Sequence, residues 1–205
     1  VKIEQAKNMQ IVNCWVCELP NSIELIGGEN IVVKNCQLGA QPTGITCKVQ
    51  EVNKLSFINN QVYPDGRENL VLDACNNCVI EGNNFKSYYN GILVLNGNDN
   101  TVNKNIFWLT GAVQNQLLDH GDDFGIINVK GNNNMVASNS LSCEWAYAGA
   151  VTVNAVQGTG NVFKNCFVDN LESYRVFLVN AQTEVSNCVS SDLSLIHISE
   201  PTRRS

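Results

Sequence analysis

Histidine, methionine, proline and charge are all scarce in this chain: 205 residues hold 2 His, 2 Met and 4 Pro, and only 16% are charged. Before residue 193 the only arginines are Arg67 and Arg175 and the only histidine is His120. Few cations and a formal charge of −6 exclude a surface built to neutralise phosphates, so nucleic acid and anionic membranes are not expected partners. No apolar run approaches the roughly 20 residues that a bilayer-spanning helix needs, so no membrane segment is expected either. A Ser/His/Asp triad would have one available base, and no GxSxG phrase occurs. An acidic, arginine-poor surface is compatible with a neutral substrate such as a carbohydrate.

The two ends differ from the rest. Leu193 to Arg203 reads LSLIHISEPTR, the translation of a transposon-type sequencing adaptor. Residues 193–205 are therefore expected to be a non-native tail, and 1–192 a fragment of one elongated domain that begins inside a repeat. Setting the tail aside removes two arginines and one glutamate and moves the charge from −6 to −7.

What is abundant is asparagine, 31 residues of it, and it recurs in one short phrase of apolar residue, mixed residues, Asn and apolar residue. The instances are IVNCWV, VVKNCQL, FINNQV, VIEGNNF, TVNKNIF, MVASNSL, VFKNCFV and VSNCV. With Asn13, Asn35, Asn60, Asn83, Asn105, Asn139, Asn165 and Asn187 as markers, the steps are 22, 25, 23, 22, 34, 26 and 22 residues. A period in the low twenties with short β-branched runs is too short for helical-pair repeats and suits one coil of a parallel β-solenoid. The expected fold is all-β, a right-handed parallel β-helix of the single-stranded, pectin-lyase-like kind. Asn fits a fixed place in each coil because it tolerates left-handed backbone and can bond to neighbouring backbone. Leucine-rich repeats share the period, but Leu is too sparse and no LxxLxL phrase recurs.

The single step of 34 residues contains an insertion, Trp108 to Phe124. Loops that interrupt a solenoid often carry binding residues. This one holds His120, Asp122 and Asp123, the candidate substrate-binding residues, whose alternative is a solvated loop tip.

Nine cysteines include two CxxC pairs, Cys14/Cys17 and Cys75/Cys78. About 57 residues separate the pairs, too many for a zinc ribbon, and Cys14, Cys36, Cys166 and Cys188 each directly follow a repeat Asn. That phase places them in one interior stack as small apolar residues, so no metal is expected. Disulfides stay open. Among the carboxylates, Glu18 and Glu24 flank the strand-like CELPNSIELIGG; glycoside chemistry needs an acid and a second group acting on the anomeric carbon or the attacking hydroxyl.

At these residues the chain resembles the inulin fructotransferases and difructose-anhydride enzymes of glycoside hydrolase family 91, from about Ala6 to Ser190. The phrases that carry it are NSIELIGGENIVVKN, TGITCKVQEVNKLSFINNQVYPDGR, the CNNC at Cys75 with VIEGNNF, YYNGILVLNGNDNTVNKN and GDDFGIINVKGNNNMVASN. The resemblance implies an extracellular homotrimer of β-helices acting on β-2,1-linked fructan (inulin) or on difructose anhydride. A hydroxyl of one fructosyl unit would attack the anomeric carbon of the next and release a cyclic dianhydride, with no cofactor. It maps the family's catalytic glutamate onto Glu24. The family's second carboxylate, eleven residues earlier, falls on Asn13, with Glu18 the nearest substitute in sequence. Alternative readings are a fructan-binding β-helix without turnover, a β-helix polysaccharide lyase or hydrolase, and a structural or adhesive solenoid.

Overall fold

The computed structural model describes residues 1–64, 67–88, 91–110, 125–143, 151–170, 175–191 and 196–198. Among these no helix occurs and every pairing between strands is parallel. The chain winds as a parallel β-helix with one 14-stranded and one 8-stranded sheet.

Three coils open it: β1 (Lys2–Val12) and β2 (Trp15–Leu19), β3 (Ile23–Lys34) and β4 (Gln37–Ala40), β5 (Ile45–Ile58) and β6 (Gln61–Val62). From the fourth coil onward the long strand divides in two, first as Glu68–Asp73 and Val79–Glu81, around the turn that carries Cys75 and Cys78.

The interior follows from the pleat, because alternate side chains point inward and in-register coils stack like on like. One column is Leu25, Val49, Leu72, Leu95 and Val129. A second is Val33, Phe57, Ile80, Val102, Val136 and Phe163. The 8-stranded sheet supplies a third, Leu38, Val62, Phe85, Phe107, Leu141 and Val168. All these side chains are buried, and Phe85 and Phe107 stack with ring centroids 5.0 Å apart. Each such burial stabilises by about 1.5–3 kcal/mol.

The repeat asparagines divide into two structural positions where the sequence suggests one. Asn13, Asn35, Asn165 and Asn187 have positive φ of 57°, 55°, 53° and 52°, and their equivalents in the middle coils are Asn59, Gly82, Lys104 and Ser138. Asn60, Asn83, Asn105 and Asn139 occupy the next position and are buried. There each Oδ1 accepts the backbone N–H of the coil before: Asn60 from Cys36 at 2.9 Å, Asn83 from Asn60 at 2.8 Å, Asn105 from Asn83 and Asn139 from Asn105 at 2.9 Å. Each Nδ2 donates to a carbonyl, of Val33, Phe57, Ile80 and Val102 respectively. Cys14 and Cys36 occupy this interior position below the ladder, and Cys166 and Cys188 above it. A second ladder, in which Asn100, Asn134 and Asn161 accept from Cys78, Asn100 and Asn134, lies at the turn that divides the long strands.

The insertion is also shorter at its start than expected. Ile106–Leu109 is a strand of the 8-stranded sheet, so Trp108 belongs to the coil. His120, Asp122 and Asp123 lie outside the described residues. After the insertion Asn128 clamps Gly125, accepting its N–H at 2.8 Å and donating to its carbonyl at 2.7 Å. Ile196–Ile198, in the stretch set apart by its sequence, pairs in parallel with Arg175–Val179. An open sheet edge accepts added strands readily.

Candidate functional site

Glu24 is the second residue of β3, half-buried on the outward face of the large sheet. It stands in register between Lys2 of β1 and Lys48 of β5, so cation, anion and cation follow one another on three coils. The Lys48 ammonium is 4.0 Å from its carboxylate. A strand hydrogen-bonded on both sides holds this side chain on a rigid base, as proton transfer to a bound substrate requires.

The other sequence candidates lie elsewhere. Asn13 follows the far end of β1, eleven residues along from Lys2, at an exposed corner where its N–H donates to the Lys34 carbonyl at 3.1 Å. Glu18 is exposed near the end of β2 with φ of 63°, around the Pro20–Ser22 turn from Glu24, and its carbonyl accepts from Gln41 Nε2. Neither shares a face with Glu24.

A carboxylate that does share the face is Glu4. It pairs with Ile26, so it lies one coil from Glu24 and two residues along, with the two side chains rooted roughly 8 Å apart. Lys2 stands beside both: its ammonium is 2.7 Å from Glu4, and the Glu4 hydrogen bond, with the charges of Glu4 and Glu24, raises it above the ordinary amine range. Sequence spacing hides Glu4, because the contact runs between coils; the alternation KIEQ opposite ELIG is the signal that contains it.

Six of the described cysteines are neighbours in three pairs, Cys14 with Cys36, Cys75 with Cys78 and Cys166 with Cys188. Burial pushes the Cys36 thiol up beside Cys14. In the turn of the fourth coil, Cys75 is lowered by the hydrogen bond from Cys78, which is itself raised. Cys188 is drawn down to about 7 by the hydrogen bond from Cys166, which is raised.

With this geometry in hand, the comparison with known families is decisive on one point: the sequence profile described as periplasmic copper-binding protein (NosD) matches residues 3–186. The chain belongs to the NosD family. None of the curated proteins matches it. Among solved structures, this NosD-family chain is similar to DFA-IIIase from Arthrobacter chlorophenolicus A6. Without its lid, that protein gives a TM-score of 0.81 at 20% identity, over 93% of this chain and 54% of the other. Without its lid and in complex with GF2 the TM-score is 0.79 at 23% identity, over 91% and 49%. In complex with DFA-III it is 0.79 at 21%, over 91% and 51%. The chain thus spans about half the length of these proteins, and what the likeness establishes is the shared fold.

The NosD description raises copper. Soft thiolates suit Cu(I), yet among the described residues no three His, Cys, Asp or Glu side chains gather into a metal-holding group. Cys75 and Cys78 are fully buried, and each Sγ lies close to a backbone carbonyl of the turn, at 3.3 Å and 3.4 Å. This donor set does not fit a copper centre.

Proposed function

We propose that this NosD-family chain is the β-helix of a carbohydrate-active enzyme that acts on neutral β-2,1-linked fructan, releasing a difructose dianhydride by intramolecular fructosyl transfer. The observation that carries the reading is the placement of Glu24, on a rigid strand and a sheet face it shares with a second carboxylate, in a fold held in common with DFA-IIIase structures that include complexes with GF2 and DFA-III. Glu24 transfers the proton between the glycosidic oxygen and the attacking hydroxyl. Glu4 serves as the second carboxylate in place of Asn13 or Glu18, because it is rooted on the same face one coil away, from where its flexible side chain can reach the carboxyl spacings at which acid and base or nucleophile roles divide. The enzyme works outside the cytoplasm as a homotrimer, with His120, Asp122 and Asp123 of the insertion contacting sugar.

The test is dianhydride release from inulin by Glu24→Gln, Glu4→Gln and Asn13→Asp variants. Loss of a positioned proton-transfer group costs about 10²–10⁴-fold in rate, so Glu24→Gln falls by that much and Glu4→Gln falls with it. An unchanged rate in Glu24→Gln would remove the assignment, and a gain in Asn13→Asp would return the second role to the Asn13 corner.

A further inference from the structure

The outward face of the 8-stranded sheet has a character of its own. In its first file Trp15, Gln37, Gln61 and Asn84 follow in register on successive coils. Trp15 is 79% exposed, the most exposed large apolar side chain among the described residues. Two residues along, the neighbouring file runs Cys17, Gly39, Tyr63, Lys86 and Trp108.

The two files are tied together. Tyr63 leans back across the sheet and donates its hydroxyl to Gln37 Oε1 at 3.0 Å. It can do so because the coil below has a glycine: a Cβ on Gly39 would lie 3.3 Å from Tyr63 Cβ and 3.5 Å from Cys17 Sγ. The indole N–H of Trp15 donates to Cys17 Sγ at 2.9 Å. Further up, the Lys86 ammonium lies 4.4 Å from the centroid of the Trp108 ring. Aromatic rings thus stand on the first, third and fifth coils, a step of roughly 10 Å at two strand spacings each. Trp15, Gln37, Tyr63 and Gln61 carry no charge at neutral pH. Large rings present flat apolar area, and fixed amides supply donors and acceptors beside them.

We propose that this strip is a binding surface for a neutral oligosaccharide, laid along the helix axis with sugar C–H faces on Trp15 and Tyr63 and hydroxyls on the Gln37 and Gln61 amides. It is separate from the Glu24 face and holds chain that the catalytic site processes, so its choice of fructan rests on the proposed activity. Among the described residues of the strip the one cation is Lys86, already engaged with Trp108, so a polyuronate or nucleic acid is not the occupant.

Calorimetric titration of the protein with inulin-type fructo-oligosaccharide, cello-oligosaccharide and oligogalacturonate tests it. The expected result is saturable fructo-oligosaccharide binding that survives in Glu24→Gln and weakens about tenfold or more in Trp15→Ala and Tyr63→Ala. Circular dichroism and melting of these surface variants stay as in the parent. Binding of cello-oligosaccharide alone, still lost in Trp15→Ala, would keep the strip and sink the fructan reading. The inference is overturned if Trp15→Ala and Tyr63→Ala bind as the parent does, if oligogalacturonate is preferred, or if sedimentation shows this face buried between copies that Trp15→Ala separates.

Discussion

At the scale of single residues, the buried asparagines carry more than their count suggests. Asn83 accepts from Asn60 N–H and Nδ2 and donates to the Phe57 carbonyl and to Asn105 Oδ1, all in a site that excludes water. Replacing it strands partners on two coils at about 1–3 kcal/mol for each group left unsatisfied. Asn83→Ala therefore destabilises by about 3 kcal/mol or more in denaturant unfolding, whereas Asn35→Gly, at an exposed left-handed position, stays within about 1 kcal/mol. The sequence shows the Asn phase but merges these two positions, because Asn suits both: αL backbone at one, amide stacking at the next. The cysteines of the same position titrate unequally. Cys188 is drawn down to about 7 by the Cys166 thiol beside it, below the ordinary thiol range. Its alkylation by iodoacetamide accordingly rises with a midpoint near pH 7, ahead of the buried thiols, and Cys166→Ala moves the midpoint upward. A midpoint unmoved by that change would mean the pair is not in contact.

At the scale of elements, the apolar alternation of strands was legible, and so was the coil length, but contacts between coils were not. Register decides that Glu4 is the neighbour of Glu24, and that Asn13 sits at the opposite end of β1. Neither follows from an eleven-residue spacing read along the chain. The turns carry a second periodic signal: Pro20, Pro42 and Pro64 follow one another at steps of 22 residues, each just beyond a strand of the 8-stranded sheet. The turns of the large sheet show what close stacking of coils demands. A Cβ on Gly97 would meet the Cys75 carbonyl oxygen at 1.8 Å, and one on Gly131 would meet the Gly97 carbonyl oxygen at 1.7 Å. Backbone cannot yield as a side-chain tip can, so Gly97→Ala is expected to cost about 1–3 kcal/mol in thermal or denaturant unfolding. Phe107→Ala, in the aromatic stack with Phe85, is expected to cost about 3–5 kcal/mol.

At the scale of the whole molecule, repetition separates scaffold from function. Asparagine ladders and apolar columns recur coil after coil and account for the fold, which is why period alone pointed to it. What does not recur is the alternation of Lys2, Glu24 and Lys48 with Glu4 beside it and the aromatic strip on the other sheet, together with the sequence of the insertion, and it is there that the proposed functions are placed. The chain belongs to the NosD family, and its likeness to DFA-IIIase establishes the solenoid as a shared fold. Copper and fructan are distinct claims on it: among the described residues no three His, Cys, Asp or Glu side chains gather into a metal-holding group, and the proposed glycoside chemistry rests on the Glu24 face. The most direct measurement is incubation of the protein with inulin, with products resolved against difructose anhydride standards, for the parent and for Glu24→Gln. The account predicts dianhydride from the parent and a rate at least about a hundredfold lower from the variant. Inulin left intact by the parent, or turned over equally by both, would contradict it.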